Sequence, residues 1–539
     1  MIKNEYVTPI RIEKIELKNF KGVKNGSIEF NCFKSREDEN TKSDILGLYG
    51  ANGSGKTTLL DALQVVKLAM MGEDIPIKKF GDLISQNEDS SKIVTTFQLK
   101  NPDNTFYHIE YSFSLKKEII YTITKEEYEK RKEAKKKANI AKGVAGAALI
   151  SSVAAGVLLS PSTAAAMTGS AARVLANQVA KQAGSNRGGI SKPKKIEIIS
   201  LCDESLSLSG NFQNSDVRFG PIFDTNSEEE VFLPKAKHKA FFPKDTALLI
   251  QELDKIKKRN TNKPKSFIFS DELNELLVYS GEPSEYANII FDLKDYAQNK
   301  FFVLKNITDD DIYYINTGYG RIEVNKNDSS VYVYDSDDIE LLVASIKNLN
   351  TVLKTIIPGM SIKAFKTKET DLNEDKTSES KKTKSKILLY SEKGDIRIPL
   401  TEESTGILRI VSVLGLISYA FSNSDVTVAI DEIDSGVYEC LLGEMLRAYE
   451  DKGEGQLIFT CHNLRPLETL DRKDICFTTT NSENRYLKPK NIRKNNNLRD
   501  VYIKEIENEK GGQQEKLYDY VKHDTIASAF QKVGDEIID

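Results

Sequence analysis

The stretch Gly50-Ala51-Asn52-Gly53-Ser54-Gly55-Lys56-Thr57 constrains the fold more than any other in this chain. It has the spacing GxxxxGK[ST], follows an apolar run at residues 45–49 that reads as a strand, and precedes Leu59, Leu60, Leu63, Val66 and Met70 at helical spacing. Strand, glycine-rich loop and helix in that order make a phosphate cradle. The glycines let the loop turn its N–H groups toward an anion, and the helix N-terminus adds favourable potential. In such a cradle Lys56 reaches the terminal phosphate oxygens and Thr57 ligates magnesium, while Gly50, Asn52, Gly53, Ser54, Gly55 and Thr58 form its wall. The implied cofactors are ATP and Mg²⁺.

Three further segments follow downstream. Val426-Thr427-Val428-Ala429-Ile430-Asp431-Glu432 is an apolar strand ending in two carboxylates, and a buried parallel strand delivers its last side chains to the sheet edge where α/β folds bind ligands. There Asp431 would hold the magnesium shell and Glu432 would polarise the attacking water. Acidic residues after a strand are common in loops, and it is the upstream cradle that gives the pair its meaning. Thr460-Cys461-His462 ends the next strand, which would aim His462 at the terminal phosphate. Glu403-Ser404-Thr405-Gly406 precedes a long apolar helix at residues 406–420; taken alone, Ser404 there is a helix cap.

In this order the four segments resemble the ABC ATPase superfamily, and within it the SMC-like and OLD-like members. The opening Ile15-Glu16-Leu17-Lys18-Asn19-Phe20-Lys21-Gly22, the acidic strand with its following loop to Gly436, and Asp500-Val501-Tyr502 extend the likeness, which covers roughly residues 1–115 and 387–505. The resemblance implies a split ATPase head, an α/β fold with a mixed sheet, working as a homodimer with ATP sandwiched between two heads. Ser404 and Gly406 of one copy would then meet the phosphate held by the other. The family often carries Arg where Lys21 stands and His after the acidic loop, where this chain has Gly436-Val437-Tyr438. A glutamine contacting the nucleotide is not evident; Gln86 and Gln98 are both candidates.

The 348 positions between Lys56 and Ser404 exceed what a compact transporter head needs, and their mixed patterning is unlike a coiled coil. The expected plan is an N-terminal lobe at 1–115, an insertion at 116–386, a C-terminal lobe at 387–510 and a tail at 511–539. Strands are expected at 266–269, 300–304 and 330–334, and a flexible loop at 366–386, where the text is Lys/Thr/Glu/Ser-rich. Asp335-Ser336-Asp337 reads as a strand-to-helix cap. Within a helical, Ala-rich segment at 125–190, residues 143–172 carry no charge and are broken by Pro161. A hairpin packed on protein suits small residues best, ahead of a membrane-touching hairpin or a mobile segment.

With 39% hydrophobic and 29% charged residues and a net charge of −4, the chain has no overall bias toward nucleic acid or lipid. Nucleic acid would need a local patch, such as the Lys-rich run at 125–142. Cys32, Cys202, Cys440, Cys461 and Cys476 lack CxxC spacing, and residues 1–11 lack an apolar leader, so a cytoplasmic protein without zinc is expected. His108, His238 and His523 read as ordinary surface or core residues. The resemblance further suggests the ATPase subunits of Septu- and PARIS-type anti-phage systems, in which a separate nuclease or toxin is the effector. A RecF-type DNA-repair ATPase and a membrane-linked toxin are the alternatives.

Overall fold

The computed structural model describes residues 8–33, 43–121, 195–225, 241, 251–253, 255–257, 263–279, 284–305, 312–317, 320–325, 330–333, 336–371, 383–489, 497–507 and 523–536. The expected Ala-rich segment, including 143–172, lies outside them. The chain divides into two compact units, Met1–Lys116 with Ser200–Asp539, and Lys117–Ile199, the second described only at 117–121 and 195–199. Among the described residues no helix is long and apolar enough to cross a membrane.

The chain is mixed α/β, with several sheets. Strands β1 (Ile10–Phe20) and β2 (Val23–Glu29) form a hairpin about the expected turn, where Asn19 and Lys21 take φ of 53° and 50°. With β4 (Ser90–Lys100), β5 (Phe106–Tyr121), β6 (Lys195–Phe212) and β7 (Ser215–Asp224) they build one sheet in the order β2-β1-β4-β5-β6-β7. The second sheet carries the cradle. Its order is β18-β17-β3-β16-β15-β8, from β3 (Asp44–Tyr49), β8 (Phe301–Leu304), β15 (Thr427–Ile430), β16 (Gln456–Thr460), β17 (Ile475–Thr478) and β18 (Tyr486–Leu487). All its pairings are parallel except β17 with β18. The short strands TVAI, QLIFT and ICFT are buried throughout, as parallel strands covered on both faces require.

Polar side chains join β1 to this parallel sheet. Gln456 donates through Nε2 to the carbonyls of Ile12 (2.7 Å) and Asn31 (2.8 Å) and accepts from Ile12 N–H (3.1 Å). Arg11, fully buried, pairs with Asp44 at 2.9 Å and donates to the Glu454 carbonyl at 2.7 Å. A buried ion pair is no net bargain against apolar packing, but removing one partner strands the other charge and costs about 3–5 kcal/mol.

Helix α1 (Lys56–Met71) leaves the cradle, and α2 (Asp271–Tyr279) and α3 (Glu285–Asp295) precede β8. The expected strand at 266–269 is a turn. Glu204 of β6 accepts from Ser266 Oγ and from Phe267 N–H (2.6 Å), and Ser266 Oγ accepts from Phe269 N–H, so these buried residues satisfy their polar groups without a ladder. Strands β9 (Ile312–Thr317) and β10 (Gly320–Asn325) pair with each other. A further sheet orders β11 (Ser330–Val333), β13 (Thr383–Lys393) and β12 (Met360–Asp371), with β14 (Ile396–Pro399) also on β13. The tract expected to be a flexible loop therefore has strands at both ends, because antiparallel pairing from Met360↔Lys393 to Asp371↔Thr383 satisfies the backbone of a polar sequence that its composition alone would leave in solvent. Residues 372–382 lie outside the described residues.

Helix α4 (Ser336–Ile356) begins at Ser336, Asp335 of the expected cap lying outside the described residues, and α5 (Thr405–Phe421) lies between two cores. Its Val413, Leu416, Ile417 and Ala420 pack with β15, β16 and α6 (Glu439–Lys452), while Leu408, Ile410, Val411 and Leu414 pack with α4, β12 and β13. Contact on both sides explains why this helix is apolar nearly all round.

Candidate functional site

Three of the four expected motifs sit at the carboxyl edge of a different strand of the parallel sheet. The cradle follows β3, Thr460-Cys461-His462 closes and follows β16, and Asp431-Glu432 follows β15, on three adjacent strands. Ser404 opens α5, the helix that packs on β15.

The cradle is tightly held. Gly53 and Gly55 take φ of 77° and 96°, a region open to glycine, and Gly55 is the residue at which the loop turns into α1. Lys56, only 6% exposed, donates through Nζ to the carbonyls of Gly50 (2.6 Å) and Ala51 (3.0 Å). Burial lowers its pKa, against the opposing attraction of Asp431 and Glu432. Ser54 turns its hydroxyl inward to Thr478 and to the Ala51 carbonyl. Asn52, Gly53 and Thr57 are exposed and Thr58 half-buried. From outside the motif, Tyr486 donates to the Gly55 carbonyl at 3.0 Å and Arg485 bridges the carbonyls of Gly22 and Thr479. Sequence reasoning missed this clamp, for which no local pattern exists.

The acidic strand ends in a strained turn. Glu432 has φ of 46°, a left-handed conformation that costs a non-glycine residue about 1–3 kcal/mol and persists only where its surroundings enforce it. Thr460 enforces it: its hydroxyl donates to Asp431 Oδ1 at 2.6 Å and accepts from Glu432 N–H at 2.7 Å, and its carbonyl accepts from Ile433 N–H. Arg409, buried behind the strand, donates to the carbonyls of Asp431 and Lys305. The role of Thr460 was legible in principle, since a hydroxyl at the end of a buried strand must find partners.

His462 is exposed, and its loop is fixed from below: Asp434 Oδ2 accepts from the N–H groups of His462 (3.1 Å) and Asn463 (2.9 Å). Ser404 is exposed and caps α5, accepting from Ile407 N–H at 3.3 Å. Next to it two glycines meet. A Cβ on Gly436, at φ 78°, would come within 2.8 Å of Gly406 Cα, so the loop after the acidic strand can lie on the start of α5 only with glycine there. The glutamine candidates lie elsewhere: Gln98 is fully buried in β4, and Gln86 is exposed in the turn before that strand.

One cluster was not anticipated. Asp61 of α1 pairs with both Lys21, from the β1–β2 turn, and Lys305, the residue after β8. Parallel pairing of Leu304 with Ile430 sets Lys305 level with Asp431 on the neighbouring strand. Burial and the neighbouring Lys21 charge push the Lys305 pKa down to about 8, while Asp431 pulls it up. Among the described residues no group of three or more His, Cys, Asp or Glu could hold a metal by protein ligands alone. The donors that fit magnesium are hydroxyl and carboxylate: exposed Thr57 and Asp431, whose carboxylate Thr460 orients, a set that suits an ion also bound by phosphate.

Residues 14–152 match a family model described as an AAA domain (AAA_23), a span that includes the whole cradle. No curated protein matches the chain. Among solved structures the chain is similar to the Smc head domain with an extended coiled coil from Pyrococcus furiosus, at 15% identity, over 89% of this chain and 96% of that one, with a TM-score of 0.34. It is similar to the SMC head domain of Thermotoga maritima at 13% identity, over 89% and 99%, with a TM-score of 0.30. The recombination mediator protein RecF of the RecFOR pathway matches at 10% identity, over 89% and 99%, also with a TM-score of 0.30. Likeness this loose carries no residue roles, and the roles below rest on the site's own geometry.

Proposed function

We propose that this chain binds Mg-ATP in the cradle and hydrolyses it, and that two copies close over the nucleotide. The observation that carries this reading is the gathering of the cradle, Asp431-Glu432 and His462 at one edge of three adjacent parallel strands. Lys56 and the loop N–H groups bind the phosphates, and Thr57 with Asp431 holds magnesium, which when bound neutralises charge on the phosphate oxygens. Glu432, its backbone locked by Thr460, orients and polarises water for attack. His462 faces the same edge from β16, as a group sensing the terminal phosphate. Ser404 and Gly406, exposed and half-buried at the start of α5, suit contact with a nucleotide held by a second copy. Glu432→Gln is expected to keep ATP affinity and lose turnover by about 10²–10⁴-fold, and Lys56→Ala to lose the nucleotide. Nucleotide binding and phosphate release decide it, and full hydrolysis by Glu432→Gln would sink the assignment.

The biological reading is control of a separate nuclease or toxin in anti-phage defence, supported by the sequence resemblance. Deleting 125–190 should then leave ATP binding intact and uncouple the effector. Co-purification from the native operon tests it: a lone homodimer acting on DNA directly would favour the DNA-repair alternative.

A further inference from the structure

Asp61 carries two lysines, so one carboxylate serves two ammonium groups at the edge where Asp431 also stands. Lys21 ties the β1–β2 turn to α1, and the segment after β8 is already held through the Lys305 carbonyl, which accepts from Arg409, so the Lys305 ammonium is not its only anchor. Lys305 is 30% exposed in its side chain and lies over the Phe80 ring at 4.5 Å. Sharing one carboxylate with Lys21, its three-donor ammonium keeps hydrogen-bonding capacity for a second anion. Asp61 lies five residues beyond Lys56 on α1, about 7.5 Å along the helix, and Lys305 stands level with Asp431 at the sheet edge that carries the cradle.

We propose that Lys305 is a further phosphate-binding residue of the nucleotide site, held by Asp61 until the terminal phosphate of ATP draws its ammonium across. This rests on the ATP reading of the cradle and adds to it a means of telling a nucleoside triphosphate from a diphosphate. Lys21 stays on Asp61 in both states, so the exchange leaves no carboxylate unpaired.

The test compares Mg-ATP and Mg-ADP binding to the full-length protein, with thermal unfolding measured alongside. Lys305→Gln can still donate to Asp61, and it is expected to weaken ATP about tenfold while changing ADP by less than about twofold; Lys305→Arg should retain the preference. Equal loss for both nucleotides with a lower melting temperature would make Lys305 an anchor only and overturn the proposal, as would unchanged binding of both. If the unmodified protein binds neither nucleotide, the ATP reading falls and the proposal with it; if it binds both and Lys305→Gln behaves like it, the proposal alone falls. Should Lys305→Gln not fold, Asp61→Asn replaces it: releasing the ammonium should raise the preference for ATP over ADP about threefold, and an unchanged or smaller preference overturns the proposal.

Discussion

The two halves of the candidate site are built differently. In the first, Lys56, Asp431 and Thr460 are buried and tied to named partners, and a backbone turn at Glu432 is held against its own preference. In the second, Ser404, Thr405, Gly436, Tyr438 and His462 are exposed, and Tyr438 presents 75% of its surface to solvent. The first half is pre-formed within one chain; the second is solvent-exposed, as the proposed two-copy site requires. Substitutions should sort accordingly, with stability responding in the buried half and turnover of an assembled species in the exposed half.

Among variants that leave the cradle and Glu432 intact, the largest expected effect lies in the exposed half. Ser404→Arg should reduce phosphate release about a hundredfold without destabilising the chain to a similar degree. Mixing it with inactive Lys56→Ala protein should restore activity, because one site of the heterodimer is then intact. No rescue between subunits shown to exchange would count against the composite site. In the buried half, Thr460→Val removes the acceptor for Glu432 N–H and the donor to Asp431, and should cost about 2 kcal/mol in a denaturant titration. Stability equal to the parent protein would mean that the strained turn is held by something else.

Gly436→Ala tests the border between the halves. At φ 78° a side chain costs about 1–2 kcal/mol, and its Cβ would press on Gly406, so a modest loss of stability should accompany a fall in turnover. The smallest stability effect belongs to Tyr438→Ser, below about 0.5 kcal/mol, with weaker ATP-dependent self-association in sedimentation velocity. A large destabilisation there would erase the contrast.

Much of the site was legible because its chemistry is local in sequence. A phosphate cradle needs glycines, a lysine and a hydroxyl at fixed spacing, and a buried strand ending in carboxylates declares itself by hydropathy, as Val426 to Glu432 does. Residues 266–269 misled for the converse reason: Phe267, Ile268 and Phe269 are as apolar as a strand, but Phe267 N–H donates to the Glu204 carboxylate, remote in sequence, and Phe269 N–H to the Ser266 hydroxyl. Lys305 was equally hidden. It ends the short run Phe301-Phe302-Val303-Leu304 much as Asp431 ends its strand, but only pairing of the two strands reveals that they are neighbours.

By itself, then, the sequence determined the cradle, the acidic strand, the helix that Ser404 opens and the α/β class, since these follow from residue spacing and hydropathy over short windows. The tertiary structure alone decided which strands adjoin, that Thr460 holds Glu432 in its turn, that Gly436 rests on Gly406, that Arg11 is buried against Asp44, and that Asp61 gathers two lysines beside Asp431. Each of these joins residues far apart in the chain or turns on a backbone angle, and such contacts are fixed by packing and by the need of buried polar groups for partners, neither of which leaves a local pattern to read.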